Sequence, residues 1–325
     1  MIKNMWYAIL DSKEVKNNKP IGVVRMGEKL VLWRDSLGKI NCIADKCCHR
    51  GVALSCGHVD NGNIVCPFHG IAFDGKGMCK LVPANGKNAP IPSNLKAKSY
   101  MVKEEYNFIW IFWGESDKAT DKIPFFEELN HGFTYGQIKD HWKNHYSRSI
   151  ENQLDVVHLP FVHKTTIGRG NATLVNGPKV EETEDSIIVG VFNEKDNGQK
   201  PKTRQELAAS EQKLFNLQFK YPNVWQNYVN DKIRIVAFFA PIDDENTMLY
   251  IRFYQKVTNI PIVKNIINGV GAWSSFIIER QDKGVVETQT PKETKLVMGE
   301  NLIPGDYPIV VYRRKRDEFK EKNNK

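Results

Sequence analysis

Residues 21 to 44, IGVVRMGEKLVLWRDSLGKINCIA, alternate apolar and polar positions and are interrupted by Gly27 and by the segment SLG, Ser36 to Gly38. A period of two broken by glycine turns predicts short antiparallel strands rather than a helix. Glycines at 51, 57, 62, 70, 75 and 77 then punctuate loops. FIWIFWG, Phe108 to Gly114, is continuously apolar and predicts a buried strand that closes this first region.

A charged connection containing a proline, ESDKATDKIP, follows, and it marks the expected boundary between a domain of residues 1–115 and one of residues 116–325. Beyond it, residues 138–163 are expected to be helical in part. Residues 181–192 and 214–257 are rich in β-branched and aromatic side chains, and 273–288 carry a further predicted helix. Runs of strands with a few helices argue for an α+β fold and against alternating βαβ units. The aromatic residues Phe215, Phe219, Trp225, Tyr228, Phe238, Trp273 and Phe276 serve this second region either as core or as the wall of a pocket.

Composition narrows the class. A chain of 325 residues with 41% hydrophobic and 26% charged residues supports two packed domains rather than disorder. The apolar run Met5 to Leu10 is too short for a secretory core, and no segment reaches the length of a membrane span, so a cytoplasmic protein is expected. The net charge of +8 is concentrated partly in YRRKRDEFKEKNNK at the C-terminus, expected to be a solvated helix or a frayed tail. No basic stripe with interleaved aromatics points to nucleic acid, although a basic face suits an acidic protein partner. GxGxxG and the P-loop pattern are both absent, so the chain offers no nucleotide site of its own.

Six cysteines in a chain of this length, without an export signal, point to metal ligation or free thiols rather than disulfides. Cys47 and His49 form C-x-H, and Cys66 and His69 form C-x-x-H. A zinc finger with two cysteines and two histidines puts the cysteines on one element and the histidines on another. One thiol and one imidazole on each loop match instead a Rieske-type 2Fe-2S cluster, in which two cysteines hold one iron and two histidines the other. Zinc, or merely buried cysteines, are the alternatives. Gly51, Pro67 and Gly70 supply the tight turns such loops need. Cys42, Cys56 and Cys79 are expected to be small core residues, and His58 an ordinary loop histidine.

The segment ENQLDVVHLPFVH, Glu151 to His163, raises a second metal possibility. Asn152, Asp155 and His158 are three apart and are expected on one helical face, with Pro160 bending the chain so that His163 converges with His158. Two histidines plus one carboxylate form the facial arrangement of mononuclear non-haem Fe(II) oxygenases. Asp282, in ERQDKGVVETQTP, is the chosen carboxylate, with Asp231, Asp243, Asp244 and Glu279 as competitors.

CCHRG and CPFHG, followed by ENQLDVVHLPFVH, resemble the catalytic subunits of Rieske non-haem iron oxygenases from Trp6 to about Tyr312. The likeness is closest to the branch that includes vanillate O-demethylase, pheophorbide oxygenase and the saxitoxin-pathway hydroxylases. Cys48 stands where that family commonly has proline, and Ile71 where it commonly has tryptophan. The resemblance implies an all-β Rieske domain followed by a catalytic domain of helix-grip form with a curved antiparallel sheet. It implies that Cys47, His49, Cys66 and His69 bind the cluster and that His158, His163 and Asp282 bind Fe(II). By the same likeness Asp155 bridges His158 to His69 of a neighbouring subunit, and Asn152 lies close to the iron.

The function so implied is a terminal oxygenase, a monooxygenase or dioxygenase, that uses O2 to hydroxylate or to O- or N-demethylate a small organic substrate. Electrons would reach it from NAD(P)H through a separate reductase or ferredoxin, and the bridge implies a homotrimer. The alternatives are a Rieske electron carrier with a ligand-binding second domain, and a zinc-stabilised interaction protein.

Overall fold

The computed structural model describes residues 1–208 and 215–323. It contains two compact units, Lys3–Ile123 and the chain from Pro124 onward, which divide at the end of the ESDKATDKIP connection.

The first unit is built of strands: β1 (Met5–Asp11), β2 (Ile21–Arg25), β3 (Glu28–Arg34), β4 (Ile40–Ala44), β5 (His58–Asp60), β6 (Asn63–Val65), β7 (Ala72–Phe73), β8 (Cys79–Leu81), β9 (Val102–Glu105) and β10 (Phe108–Trp113). They form three sheets, ordered β1-β10-β9, β2-β3-β4 and β5-β6-β7-β8. The hairpins expected between residues 21 and 44 are present, with Arg25 opposite Glu28 and Arg34 opposite Ile40. Gly27 and Gly38 take φ of +77° and +79° in their turns, a region that side chains with a Cβ resist. Strand β10 is buried at every position because it lies between β1 and β9 at the centre of its sheet. Val31, Trp33, Ile43, Leu54, Ile64, Ile71 and Phe73 pack into one core, and Cys47 and Cys66 belong to it.

The second unit comprises β11 (Thr134–Trp142), α1 (Tyr146–Leu154), α2 (Leu159–Val162), β12 (Leu174–Glu182), β13 (Ser186–Glu194), α3 (Arg204–Ala208), β14 (Phe215–Lys220), β15 (Val224–Asn230), β16 (Ile233–Pro241), β17 (Thr247–Gln255), α4 (Pro261–Val286) and α5 (Tyr307–Asn323). Its strands make one seven-stranded antiparallel sheet in the order β11-β17-β16-β15-β14-β13-β12. Helix α4 lies on β11 and β17, while α1 packs on β16 and α5 on β12. The approach of α4 is close enough that a Cβ on Gly271 would come within 2.2 Å of the Phe253 ring. The α+β architecture is the expected one.

Three elements differ from expectation. Residues 138–142 are not helical: they end β11, paired residue for residue with β17. Helix α4 starts at Pro261, twelve residues before the predicted start at 273, because Pro261 occupies a position in the first turn that needs no N–H. The basic C-terminal segment forms a helix, as expected, but its first turns are buried rather than solvated. Arg313 and Arg316 on α5 are 2% and 1% exposed.

Arg313 donates to both oxygens of Glu151 on α1, at 2.8 and 2.7 Å, and lies 2.7 Å from Glu300. Arg148 holds the same Glu300 at 2.8 Å. Arg316 donates to the hydroxyl and carbonyl of Thr294 at 2.8 and 2.7 Å. Such a network ties α1 to α5 through buried charge. Removing one member leaves its partners desolvated and unpaired, which costs more than the intact pairs contribute. Arg313→Ala is expected to lower stability by about 3 kcal/mol in urea unfolding; a loss below about 1 kcal/mol would mean that Glu151 finds another partner.

Candidate functional site

Two loops of the first unit are built alike. In one, Gly51 N donates to Cys47 O at 2.9 Å and Cys47 N to Val52 O at 2.8 Å. In the other, Gly70 N donates to Cys66 O at 3.0 Å and Cys66 N to Ile71 O at 2.9 Å. Gly51 and Gly70 close these turns at φ of +76° and +69°. The apolar residue after each glycine, Val52 or Ile71, packs on the core and turns the cysteine inward with it. Cys47 and Cys66 are buried, whereas His49 and His69 are exposed, their ring centroids 4.7 Å apart. Burial pushes the Cys47 thiol up to about 11; the His49 backbone N–H works against this, and the adjacent Cys66 thiol adds to it. A pair of inward thiols facing a pair of outward imidazoles suits a cluster whose two irons differ in ligand type.

The remaining cysteines divide. Cys42 and Cys79 are buried as expected, but Cys56 is exposed, because it ends the short turn Leu54–Cys56 whose inward position belongs to Leu54. Cys48 is exposed as well. His58 opens strand β5 rather than lying in a loop.

In the second unit, α1 carries Asn152 and ends at Leu154. The helix stops ahead of Pro160, not at it. Asp155 Oδ1 accepts from Val157 N at 2.6 Å and from His158 N at 3.4 Å, a local turn that replaces the next helical bonds. His158 then precedes α2 and His163 follows it, so one short helical turn sets their spacing. Asp282 comes from α4, on the inward face that also carries Ser275, Glu279 and Val286.

The three side chains meet. A nitrogen from each imidazole and an oxygen of Asp282 all lie within 4.8 Å of one another. Asp282 Oδ1 is 3.0 Å from His163 Nε2 and 3.4 Å from His158 Nε2. His158 Nδ1 is 3.5 Å from Asp155 Oδ2. Despite these approaches, Asp282 Oδ1 and His158 Nδ1 are buried without an aligned hydrogen bond among the described residues. Three ligand-type atoms within 4.8 Å of one another, the carboxylate oxygen among them without an aligned donor, make a candidate cation site.

Electrostatics agree with that reading. Burial disfavours a charged His158, but Asp155 and Asp282 outweigh it and lift the imidazole to about 9. Burial would raise Asp282, yet the two imidazoles hold its carboxyl below the usual range. The pocket therefore favours added positive charge between these groups, which a divalent metal supplies.

Gln281 was not anticipated from sequence. Its Oε1 lies 2.9 Å from His163 Nδ1 and accepts from Thr166 Oγ1 at 2.9 Å, so it orients the imidazole from behind. Its only sequence signal is its place next to Asp282. The competing carboxylates lie elsewhere: Asp231 is exposed beside Tyr228, and Asp243 binds the turn groups Glu245 N and Asn246 Nδ2. Asp244 is exposed, and Glu279 accepts from the Trp142 indole.

Of the aromatic candidates, Phe219 packs against Tyr221 and Tyr312, and Phe238 stacks on Phe125, so both are core. Tyr228 packs on Arg234. Trp225 is buried, with its indole nitrogen unpartnered among the described residues, whereas Trp273 and Phe276 are exposed on α4. The side chain of Phe215 lies outside the described residues. A polar cavity of about 150 Å³ opens beside Asn152 and Asp155, walled by Glu151, Glu300, Asp306 and Arg313. Among the described residues no helix is long and apolar enough to cross a membrane.

Fold and sites together define a two-unit protein with a paired Cys/His donor set in an all-β unit and a His-His-Asp set on a helix-covered sheet. Residues 5–100 match the Rieske (2Fe-2S) domain and residues 142–320 the vanillate O-demethylase oxygenase C-terminal domain, and the chain belongs to this family of Rieske oxygenases. It is 33% identical over 170 residues to chlorophyllide a oxygenase, chloroplastic, of Chlamydomonas reinhardtii, covering 52% of this chain and 26% of that protein. It is 32% identical over 169 residues to the vanillate O-demethylase oxygenase subunit of Pseudomonas sp. strain HR199, covering 51% of this chain and 46% of that one. The chain spans about half the length, or less, of these curated relatives. The solved structure of NdmA from Pseudomonas putida CBB5 shares the fold, with a TM-score of 0.82 at 22% identity over 99% of this chain and 91% of that chain.

The helix that leads into the site has its own pH sensitivity. His145 caps α1: its Nδ1 lies 2.7 Å from Ser147 Oγ and accepts from Ser147 N at 3.3 Å. Burial, with Arg316 adding to it, pushes this imidazole down to about 3. An unfolded histidine titrates near 6.5, so the contribution is complete above about pH 6.5 and is lost as pH falls toward 3. Between pH 7 and 4.5 the unfolding free energy of the wild type should fall by about 2–3 kcal/mol more than that of His145→Gln; equal slopes would remove His145 as the cause.

Proposed function

We propose that this protein is the terminal oxygenase of a multicomponent system that uses O2 and external electrons to hydroxylate a small organic substrate, or to remove an O- or N-linked methyl group. The observation that carries this reading is the convergence of His158, His163 and Asp282 on one point in a chain that also holds the two Cys/His loops. Cys47, Cys66, His49 and His69 would hold a 2Fe-2S cluster, and His158, His163 and Asp282 a single Fe(II). When bound, the Fe(II) supplies O2 activation and the cluster supplies single electrons.

The chain's own residues do the rest. Gln281 fixes the tautomer and orientation of His163. Asp155 faces His158 Nδ1 with Oδ2 while Oδ1 is held by backbone amides, so the carboxylate is aimed and has lone pairs left for a second imidazole. That second imidazole would be His69 of a neighbouring protomer, which implies a ring, and we read it as a homotrimer. Asn152 Nδ2, buried and unpartnered among the described residues, stands beside this bridge as a polar contact. The polar cavity bordering Asp155 leaves that carboxylate approachable from outside, which supports this reading.

The named relatives are oxygenases, which speaks for this reading over an electron carrier. A reductase or ferredoxin that draws on NAD(P)H would supply the electrons, docked in part by the basic surface, and the cytoplasm is the proposed location. Monooxygenation is favoured over dioxygenation by the vanillate O-demethylase type of C-terminal domain.

Reconstituted protein should contain about three irons per protomer, against about two for a carrier. His163→Ala should lose the mononuclear iron and keep the cluster spectrum. Asp155→Asn should keep both metals while product formation falls by about 100-fold. Unchanged turnover in Asp155→Asn would end the bridging role. A substrate screen with a generic reductase, NADH and O2, scored by mass shift or formaldehyde release, tests the activity itself.

A further inference from the structure

Between Lys256 and Glu279 the chain carries one charged residue, Lys264. Helix α4 begins within this stretch and sets small groups against β11 and β17, with Gly271, Ala272 and Ser275 buried there. Its larger apolar side chains point the other way. Ile262, Ile266, Val270 and Trp273 are 74, 60, 59 and 64% exposed, and their spacing of four, four and three puts them in one line about 16 Å long. Exposed Ile260 extends the line at one end and Phe276 at the other. A Cβ added to Gly269, in the middle of it, would meet nothing within 4 Å. An uncovered apolar line of this length marks contact with another surface rather than a face built for water.

The charges around the line have one sign. Lys256 and Lys264 stand at its N-terminal end, and neither has a carboxylate partner among the described residues. At the other end the Arg280 guanidinium lies 5.7 Å over the Phe276 ring and shares Asp140 with Lys283, at 3.1 and 2.8 Å. The helix's own acids, Glu279 and Asp282, are buried. Gln281 donates to Thr165 Oγ1 at 3.2 Å, which brings the segment of residues 161–169 alongside. That segment adds exposed Phe161 and Ile167, with Lys164 and Arg169, cations again without a carboxylate partner among the described residues.

A second copy packed on this line would set cations against cations on both flanks, since Asp140 is already shared by two of them. An anionic bilayer satisfies both parts of the surface. Apolar side chains enter the boundary between headgroups and acyl chains, while lysine and arginine extend to the phosphates. The helix is not long and apolar enough to cross a membrane, so it would lie in the plane of the surface.

We propose that the outer face of α4 docks the protein on an anionic phospholipid bilayer, with the line from Ile260 to Phe276 inserted and Lys256, Lys264, Lys164 and Arg169 on the headgroup phosphates. The docking is peripheral and reversible, and it does not depend on the oxygenase reading above.

The test is cosedimentation of the full chain with vesicles of phosphatidylcholine alone and of phosphatidylcholine mixed with phosphatidylglycerol. Binding is expected to the mixed vesicles and should weaken as salt rises. Ile266→Ser combined with Trp273→Ser should reduce that binding by about tenfold or more. Lys256→Glu combined with Lys264→Glu should reduce it by about tenfold through charge alone. Tryptophan emission should shift to the blue on adding mixed vesicles, and the shift should be lost in Trp273→Phe. All these positions lie at the surface, and an unchanged urea midpoint shows that each variant folds. No binding to either vesicle, binding unchanged in both double variants, or equal binding to the two vesicle types would overturn the proposal. Self-association that the Ile266→Ser and Trp273→Ser pair abolishes, without vesicle binding, would overturn it in favour of a second copy.

Discussion

The second unit depends on a carboxylate that its own neighbours do not satisfy. Asp282 Oδ1 sits between two imidazole nitrogens, buried and without an aligned donor. Left alone, such a group is a defect in a packed interior. Much of the surrounding structure serves to hold it there. Gly136 and Gly271 let α4 close on β11 and β17, the turn at Asp155 swings His158 inward, and Gln281 holds His163 from behind. A sequence that accepts this much local cost is organised around what fills the point where the three donors meet.

Helix α4 shows how far that demand reaches. Its inward face carries Asn268, Ser275, Glu279 and Asp282, while Ile262, Ile266, Val270 and Trp273 are exposed on its outer side. A helix placed by hydrophobic burial alone would lie the other way round. Its position is held by polar and close backbone contacts instead. Asn268 lies within hydrogen-bond reach of Thr134 and Gln255, and Lys283 bonds Asp140 and the His141 carbonyl. The buried Arg313–Glu151 pair does the same for α1 and α5.

How much of this was legible follows from how local each signal is. The two Cys/His loops were readable because ligand spacing, glycine and turn fall within a few residues of one another, as the matched hydrogen bonds of Cys47–Val52 and Cys66–Ile71 show. His158 and His163 were readable for the same reason, although Pro160 was assigned a bend that the Asp155 side chain makes. Asp282 was harder, since nothing in ERQDKG distinguishes a ligand from Glu279 three residues earlier; both face inward, and only their tertiary partners separate them, the two imidazoles for Asp282 and the Trp142 indole for Glu279. Residues 138–142 were misread because the pairing of β11 with β17, over a hundred positions away, overrides local pattern. The burial of Arg313 and Arg316 was illegible, because their partners Glu151, Glu300 and Thr294 are distant in sequence.

The inward thiols and outward imidazoles of the first unit have a consequence for how such a centre would be used. Cys47 and Cys66 are sealed in a core of Trp33, Ile64 and Phe73, so charge can leave a cluster held there most directly through the exposed edges of His49 and His69. In the second unit Asp155 Oδ2 approaches His158, and Asp155 borders a polar cavity. Each unit thus ends its donor set in a hydrogen-bonding group near solvent rather than in a buried one. Two such ends can be joined by a single carboxylate without rebuilding either core, since one oxygen keeps its backbone amides while the other serves the imidazoles. If, as proposed above, the exposed imidazole of one protomer meets Asp155 of another, assembly of protomers would be a condition of turnover.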